Sequence, residues 1–125
     1  MSVPILKQGD YLIASVQSAL SDSEVLELQE DLLDSVGRHR AQGVIVDVTA
    51  MDVIDTYATR SLCRIAATTR LRGAPTVVVG VQPDVATAMV RFGLTMDGVL
   101  TALDLEQGVE LLDRLTGEHR AADAR

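Results

Sequence analysis

Two short apolar runs constrain this chain more than any other feature. Gly43-Val44-Ile45-Val46-Asp47-Val48 and Pro75-Thr76-Val77-Val78-Val79-Gly80 are rich in β-branched residues and nearly free of charge. Runs of this kind fit strands covered on both faces, because a strand with one wet face alternates apolar and polar residues. A doubly covered sheet needs helices, and the segments around the two runs supply them. Ser21-Asp22-Ser23-Glu24 spells a capping box at the required i, i+3 spacing. From there to about Arg40, Val25, Leu28, Leu32 and Val36 share one helical face, and the acids precede the bases as a helix dipole favours. A second helix is predicted over about 56–71, with Leu62, Ile65, Ala66 and Thr69 inward and Gly73 as its stop. A third, over 83–92, opens on Pro83 and closes at Gly93.

The ends of the chain complete the pattern. Val3-Pro4-Ile5-Leu6 and Tyr11 to Val16 flank Gly9-Asp10 and form a predicted hairpin, with Pro4 suited to an edge strand. Val99-Leu100-Thr101 is a brief strand, and Asp104-Leu105-Glu106-Gln107 opens a last helix carrying Val109, Leu111, Leu112 and Leu115. The expected order is ββαβαβαβα: an α/β fold, mostly parallel, with an antiparallel N-terminal hairpin strand and about four helices. One domain is expected over residues 1–117, followed by a polar, frayed tail over 118–125.

Composition then removes several functions. The chain has 125 residues, 11 Lys+Arg against 18 Asp+Glu, and a net charge of −7. Without a basic stripe and with only Tyr11, Tyr57 and Phe92 as aromatics, it lacks a nucleic-acid footprint and a base-stacking platform. A single cysteine makes no internal disulfide, and no apolar run approaches the ~20 residues of a membrane span. The expected home is the cytoplasm.

Chemical motifs are sparse. The nine glycines never form GxGxxG or a phosphate-binding GxxxxGK[ST] loop. His39 and His119 are far apart, and Cys63 has no CxxC companion, so no metal site, cofactor or catalytic residue is assigned. Cys63 reads as a small buried residue and His39, between two arginines, as solvated.

The unusual segment is Asp47-Val48-Thr49-Ala50-Met51-Asp52-Val53-Ile54-Asp55-Thr56-Tyr57-Ala58-Thr59-Arg60. It leaves one apolar run, carries three acids and enters the second helix beside a hydroxyl residue. One reading is structural: Asp47 closes the strand, and Asp55 or Thr56 caps the helix. The other is a phosphoacceptor, since a phosphate in the first turn of a helix meets free backbone amides and the positive dipole end. A receiver domain or Mg²⁺ site is disfavoured, because such domains need a late lysine and Lys7 is the only lysine.

With these residues in view, the chain resembles the STAS-domain family, and within it the stand-alone RsbS-type stressosome scaffolds. The resemblance runs over about residues 3–117. It rests on Val3 to Lys7, Gln29-Glu30-Asp31-Leu32-Leu33, Gly43 to Asp47, Gly80-Val81-Gln82-Pro83-Asp84-Val85-Ala86 and Thr101 to Gly108. It implies a non-enzymatic scaffold that co-assembles with RsbR-like sensor paralogues and itself forms a homodimer within a large hetero-oligomer. Such a scaffold holds an RsbT-like serine/threonine switch kinase until it is phosphorylated. The phosphoacceptor position falls on Thr56, where the branch usually has Ser, and Tyr57 replaces the usual Phe. Asp52, Asp55, Tyr57 and Arg60 become the expected partner-binding residues, with Arg60 and Arg64 an exposed basic edge. Thr87 is the nearest hydroxyl to the second phosphorylation site of the sensor paralogues and is read here as a structural helix residue. The alternative is a free anti-sigma-factor antagonist, although no Ser-Ser-Gly follows the aspartate as in that branch.

Overall fold

The structure, a computed structural model, describes residues 3–123, with side chains through residue 117. Nine elements follow in the order β1 (Ile5–Gln8), β2 (Tyr11–Ser15), α1 (Asp22–His39), β3 (Gly43–Asp47), α2 (Thr56–Leu71), β4 (Thr76–Val79), α3 (Pro83–Arg91), β5 (Leu100–Ala102) and α4 (Leu105–Asp123). The ββαβαβαβα order and the mixed sheet agree with the sequence reading. The strands lie in the order β1-β2-β3-β4-β5, with β1 antiparallel to β2 and every other neighbour parallel.

That monotonic strand order decides where the helices go. Each β-α-β crossover steps in the same direction, and crossovers are right-handed, so α1, α2 and α3 must share one face. Leu12, Ala14, Val44, Val46 and Val78 point into that face and pack with Leu28, Leu32, Ile65, Val85 and Met89. Their strand neighbours point the other way: Ile13, Ile45, Val77 and Val79 pack against α4 through Leu112. The period of two thus splits each apolar run between two cores, which is why β3 and β4 tolerate almost no polar residue.

Local signals act as expected at several ends. The Ser21 hydroxyl accepts from the Glu24 N–H at 3.3 Å, and the Glu24 carboxylate accepts from the Ser21 N–H at 3.0 Å. Gln8 pairs with Tyr11 across a two-residue turn in which Gly9 alone has positive φ, the sign pattern of a type II′ hairpin. Strand β1 reaches that turn through Lys7 and Gln8, two residues beyond the expected Leu6. Buried Thr69 and Thr76 share a hydrogen bond of 2.7 Å that fastens the end of α2 to β4.

Helix α4 is longer than expected: it continues through Gly117 to Asp123. Gly117 is not among the glycines with positive φ, so it does not make the left-handed turn that ends a helix. A helical glycine costs only about 1 kcal/mol relative to alanine. Residues 124–125, and the side chain of His119, lie outside what is described.

Candidate functional site at the start of α2

The segment between β3 and α2 is held from below by its own apolar spacing. Val48, Met51 and Ile54 are buried in the helix-covered core, while Asp52, Val53 and Asp55 are left in solvent. Burying each of these side chains contributes about 1.5–3 kcal/mol, enough to fix a loop with little regular structure. Asp47 ends β3, and its Oδ1 accepts from the Thr49 N–H at 2.9 Å and the Thr49 hydroxyl at 2.6 Å.

The structure decides between the two capping candidates. Asp55 is the N-cap: its carboxylate accepts from the Ala58 N–H at 2.8 Å, and its carbonyl accepts from the Thr59 N–H at 2.9 Å. Thr56 is therefore the first residue of the helix, not its cap. Three aliphatic hydroxyls crowd these two turns, and they differ in freedom. Thr59 and Ser61 are buried and donate to the carbonyls of Asp55 and Tyr57 at 2.9 and 2.8 Å. The Thr56 side chain is exposed, and its hydroxyl has no hydrogen-bond partner among the described residues.

The five residues singled out from sequence are all exposed, and four of them are divided between two hollows, with Asp55 lining both and Arg60 neither. Thr56 lines a groove of about 430 Å³ between α2 and α3, together with Asp52, Asp55, Asp84, Ala88 and Phe92. Tyr57, one helical step on, instead lines a cleft of about 120 Å³ toward α1 with Leu20, Val25 and Leu28. The carboxylate of Asp22, in the first turn of α1, raises the Tyr57 phenol above its usual pKa. Arg60 and Arg64 are exposed one turn apart on the outer side of α2, away from the inward stripe of Leu62, Ile65, Ala66 and Thr69. Thr87 is exposed on α3. Cys63 is half-buried rather than buried, and desolvation, with Asp97 nearby, pushes its thiol pKa up. His39 is exposed. Among the described residues, no group of three His, Cys, Asp or Glu side chains could hold a metal ion.

Sequence reasoning missed the α3 wall of the groove. Asp84 and Phe92 lie at least 28 residues beyond Thr56 in the chain. The signal was nevertheless present: the loops that follow neighbouring parallel strands emerge at the same end of the sheet. Val53 and Phe92 are 69% and 76% exposed, so the groove carries two apolar side chains in solvent beside its three acids.

Comparison with known proteins agrees with this architecture. The STAS-domain pattern matches residues 2–107. The chain is similar to the RsbT co-antagonist protein RsbRA of Bacillus subtilis (strain 168), 30% identical over 117 residues, or 93% of this chain. It spans only 43% of the length of that protein. The solved RsbS of Moorella thermoacetica is 35% identical with a TM-score of 0.75, covering 91% of this chain and 97% of that one. A chain from a structure of the molecular architecture of the stressosome is 34% identical at a TM-score of 0.75, covering 90% and 98%. Among the described residues no helix is long and apolar enough to cross a membrane. The chain belongs to the STAS-domain family, and within it is similar to the RsbS and RsbR proteins of the stressosome.

Proposed function

We propose that this chain is a non-enzymatic cytoplasmic scaffold of a stressosome, which holds an RsbT-like switch kinase and releases it when Thr56 is phosphorylated. The observation that carries the reading is the inequality of the three hydroxyls at the start of α2. Thr59 and Ser61 are committed to backbone carbonyls, whereas Thr56 is exposed and unpaired. A kinase meeting this surface finds one aliphatic hydroxyl ready to accept phosphate.

Electrostatics supplies the release. A phosphothreonine adds nearly two negative charges at neutral pH. At Thr56 those charges join Asp52, Asp55 and Asp84 around one groove. The helix dipole offsets part of this, by about 0.3–1 kcal/mol, so α2 itself survives. A partner packed against the groove has no such relief. Burying an uncompensated charge at its contact costs about 2–5 kcal/mol, or a 30- to 4,000-fold loss of affinity. Asp52, Asp55, Tyr57 and Arg60 contribute the surrounding contacts, with Tyr57 and Thr56 addressing different flanks of the helix.

The similarity to RsbRA and to stressosome structures supports co-assembly with RsbR-like sensor paralogues. The decisive experiment incubates the chain with an RsbT-type kinase and ATP and maps phosphate by mass spectrometry. The expected label is on Thr56, and Thr56→Ala abolishes it; label at another residue overturns the site. Size-exclusion with an RsbR-type sensor is expected to give a megadalton particle. A small binary complex with an anti-sigma kinase would instead favour the free antagonist.

A further inference from the structure

The segment Gly80-Val81-Gln82, which joins β4 to α3, lies alongside the loop that presents Thr56. Gln82 is the N-cap residue of α3, yet its side chain makes no capping bond. Its Nε2 donates instead to the Thr49 carbonyl, 2.6 Å away in the neighbouring loop. Pro83 follows at the first helical position and has no N–H to satisfy, which lessens what α3 loses. Thr49 is held from its other side, because its N–H and hydroxyl both donate to Asp47. The fit is close: a Cβ on Gly80 would fall on the Thr49 hydroxyl and lie 3.1 Å from Asp47 Oδ1. Asp47, Thr49 and Gln82 thus form one chain of hydrogen bonds from the end of β3 to the head of α3.

We propose that Gln82 is a positioning residue for Thr56: it clamps the 48–55 loop to the head of α3 and so sets the mouth of the groove that the hydroxyl overlooks. The inference rests on Thr56 being the phosphoacceptor and adds the element that governs its presentation. Met51 and Ile54 anchor the loop downward into the core. Gln82 anchors it sideways, to the head of the helix whose Asp84, Val85, Ala88 and Met89 line the groove beside Thr56. A displacement of the 48–55 loop is therefore felt at the head of α3 through this side chain.

Gln82→Glu tests the clamp, because it preserves size while replacing the donor with an acceptor that faces a carbonyl. Hydrogen exchange is measured on the full chain by NMR. The Thr49 and Met51 amides, bonded to Asp47 and Val48, are expected to exchange about fivefold faster, with the buried strand amides of β3 and β4 unchanged. Gln82→Lys, which restores a donor, returns most of the protection. Paired with Thr49→Val, the effects are non-additive if the bonds act as one tie. With a purified RsbT-type kinase, Gln82→Glu raises the KM for Thr56 phosphorylation severalfold while kcat stays within about twofold. Unchanged exchange in Gln82→Glu, or equal acceleration throughout the chain, overturns the clamp. If the parent chain takes phosphate elsewhere than Thr56, the phosphoacceptor reading fails, and the exchange data still decide the clamp.

Discussion

On the α1 side of the first turn of α2, Tyr57 closes a cleft of about 120 Å³ lined largely by aliphatic side chains. On the α3 side, Thr56 overlooks a groove of about 430 Å³ with Asp52, Asp55 and Asp84 around it. Adjacent residues reach these two surroundings because each helical step turns the side chain by about 100°. The α1 flank is aliphatic with Asp55 at its edge, whereas the α3 flank sets Asp52, Asp55 and Asp84 against an apolar lining. Under the proposed function, a phosphate on Thr56 would act on the second flank, because Thr56 lines only that groove. On that proposal, a partner straddling the turn would be loosened on the α3 side and keep its contacts in the α1-side cleft.

The comparison breaks most severely at Gly80. This residue has φ +83 and no room for a Cβ beneath Thr49, so Gly80→Ala is expected to destabilise the chain by about 2–3 kcal/mol. Thermal melts should show a fall of roughly 10 °C, with loosening concentrated on the α3 flank. Asp55→Ala removes the cap shared by both flanks and should cost about 1 kcal/mol in urea unfolding. Asp55→Asn retains the acceptor and should recover most of that loss. Two isosteric changes sharpen the contrast between free and committed hydroxyls. Thr59→Val loses a hydrogen bond and should cost about 0.5–1.5 kcal/mol, whereas Thr56→Val should stay within ~0.5 kcal/mol and abolish phosphorylation.

The smallest effect lies at alkaline pH. Desolvation and the carboxylate of Asp113 raise the Tyr11 phenol above its usual value of 10.0, so the folded state retains its proton longer than the unfolded chain does. Stability from this group is complete below pH 10 and is lost as pH climbs through the folded-state value. Tyr11→Phe should flatten the decline in Tm above pH 10. Tyr57→Phe should flatten it less, because Tyr57 is 41% exposed and its Asp22 contact is screened by water.

Much of this was legible in the residues themselves. Periodicity located α1 and its buried stripe of Val25, Leu28, Leu32 and Val36, and all four are buried. The apolar runs located β3 and β4, since only residues that tolerate two dry faces could stand there. Ser21 and Glu24 announced a cap through a spacing that local geometry alone enforces. The segment 47–60 was conspicuous because it put three acids and a hydroxyl between a strand and a helix. The choice between Asp55 and Thr56 as cap was not legible, for either side chain satisfies the same amides at that spacing. Gly117 misled because a glycine stops a helix only when the backbone turns left-handed, and the sequence does not state φ.

The sequence by itself determined the elements and their order, because those depend on spacings of a few residues along one chain. Tertiary structure alone decided that Thr56 and Tyr57 serve different flanks, that Asp84 and Phe92 join the first of them, and that Gln82 reaches across to Thr49. Such pairings arise only when parallel strands bring distant loops to one end of a sheet, and no local rule of spacing encodes them.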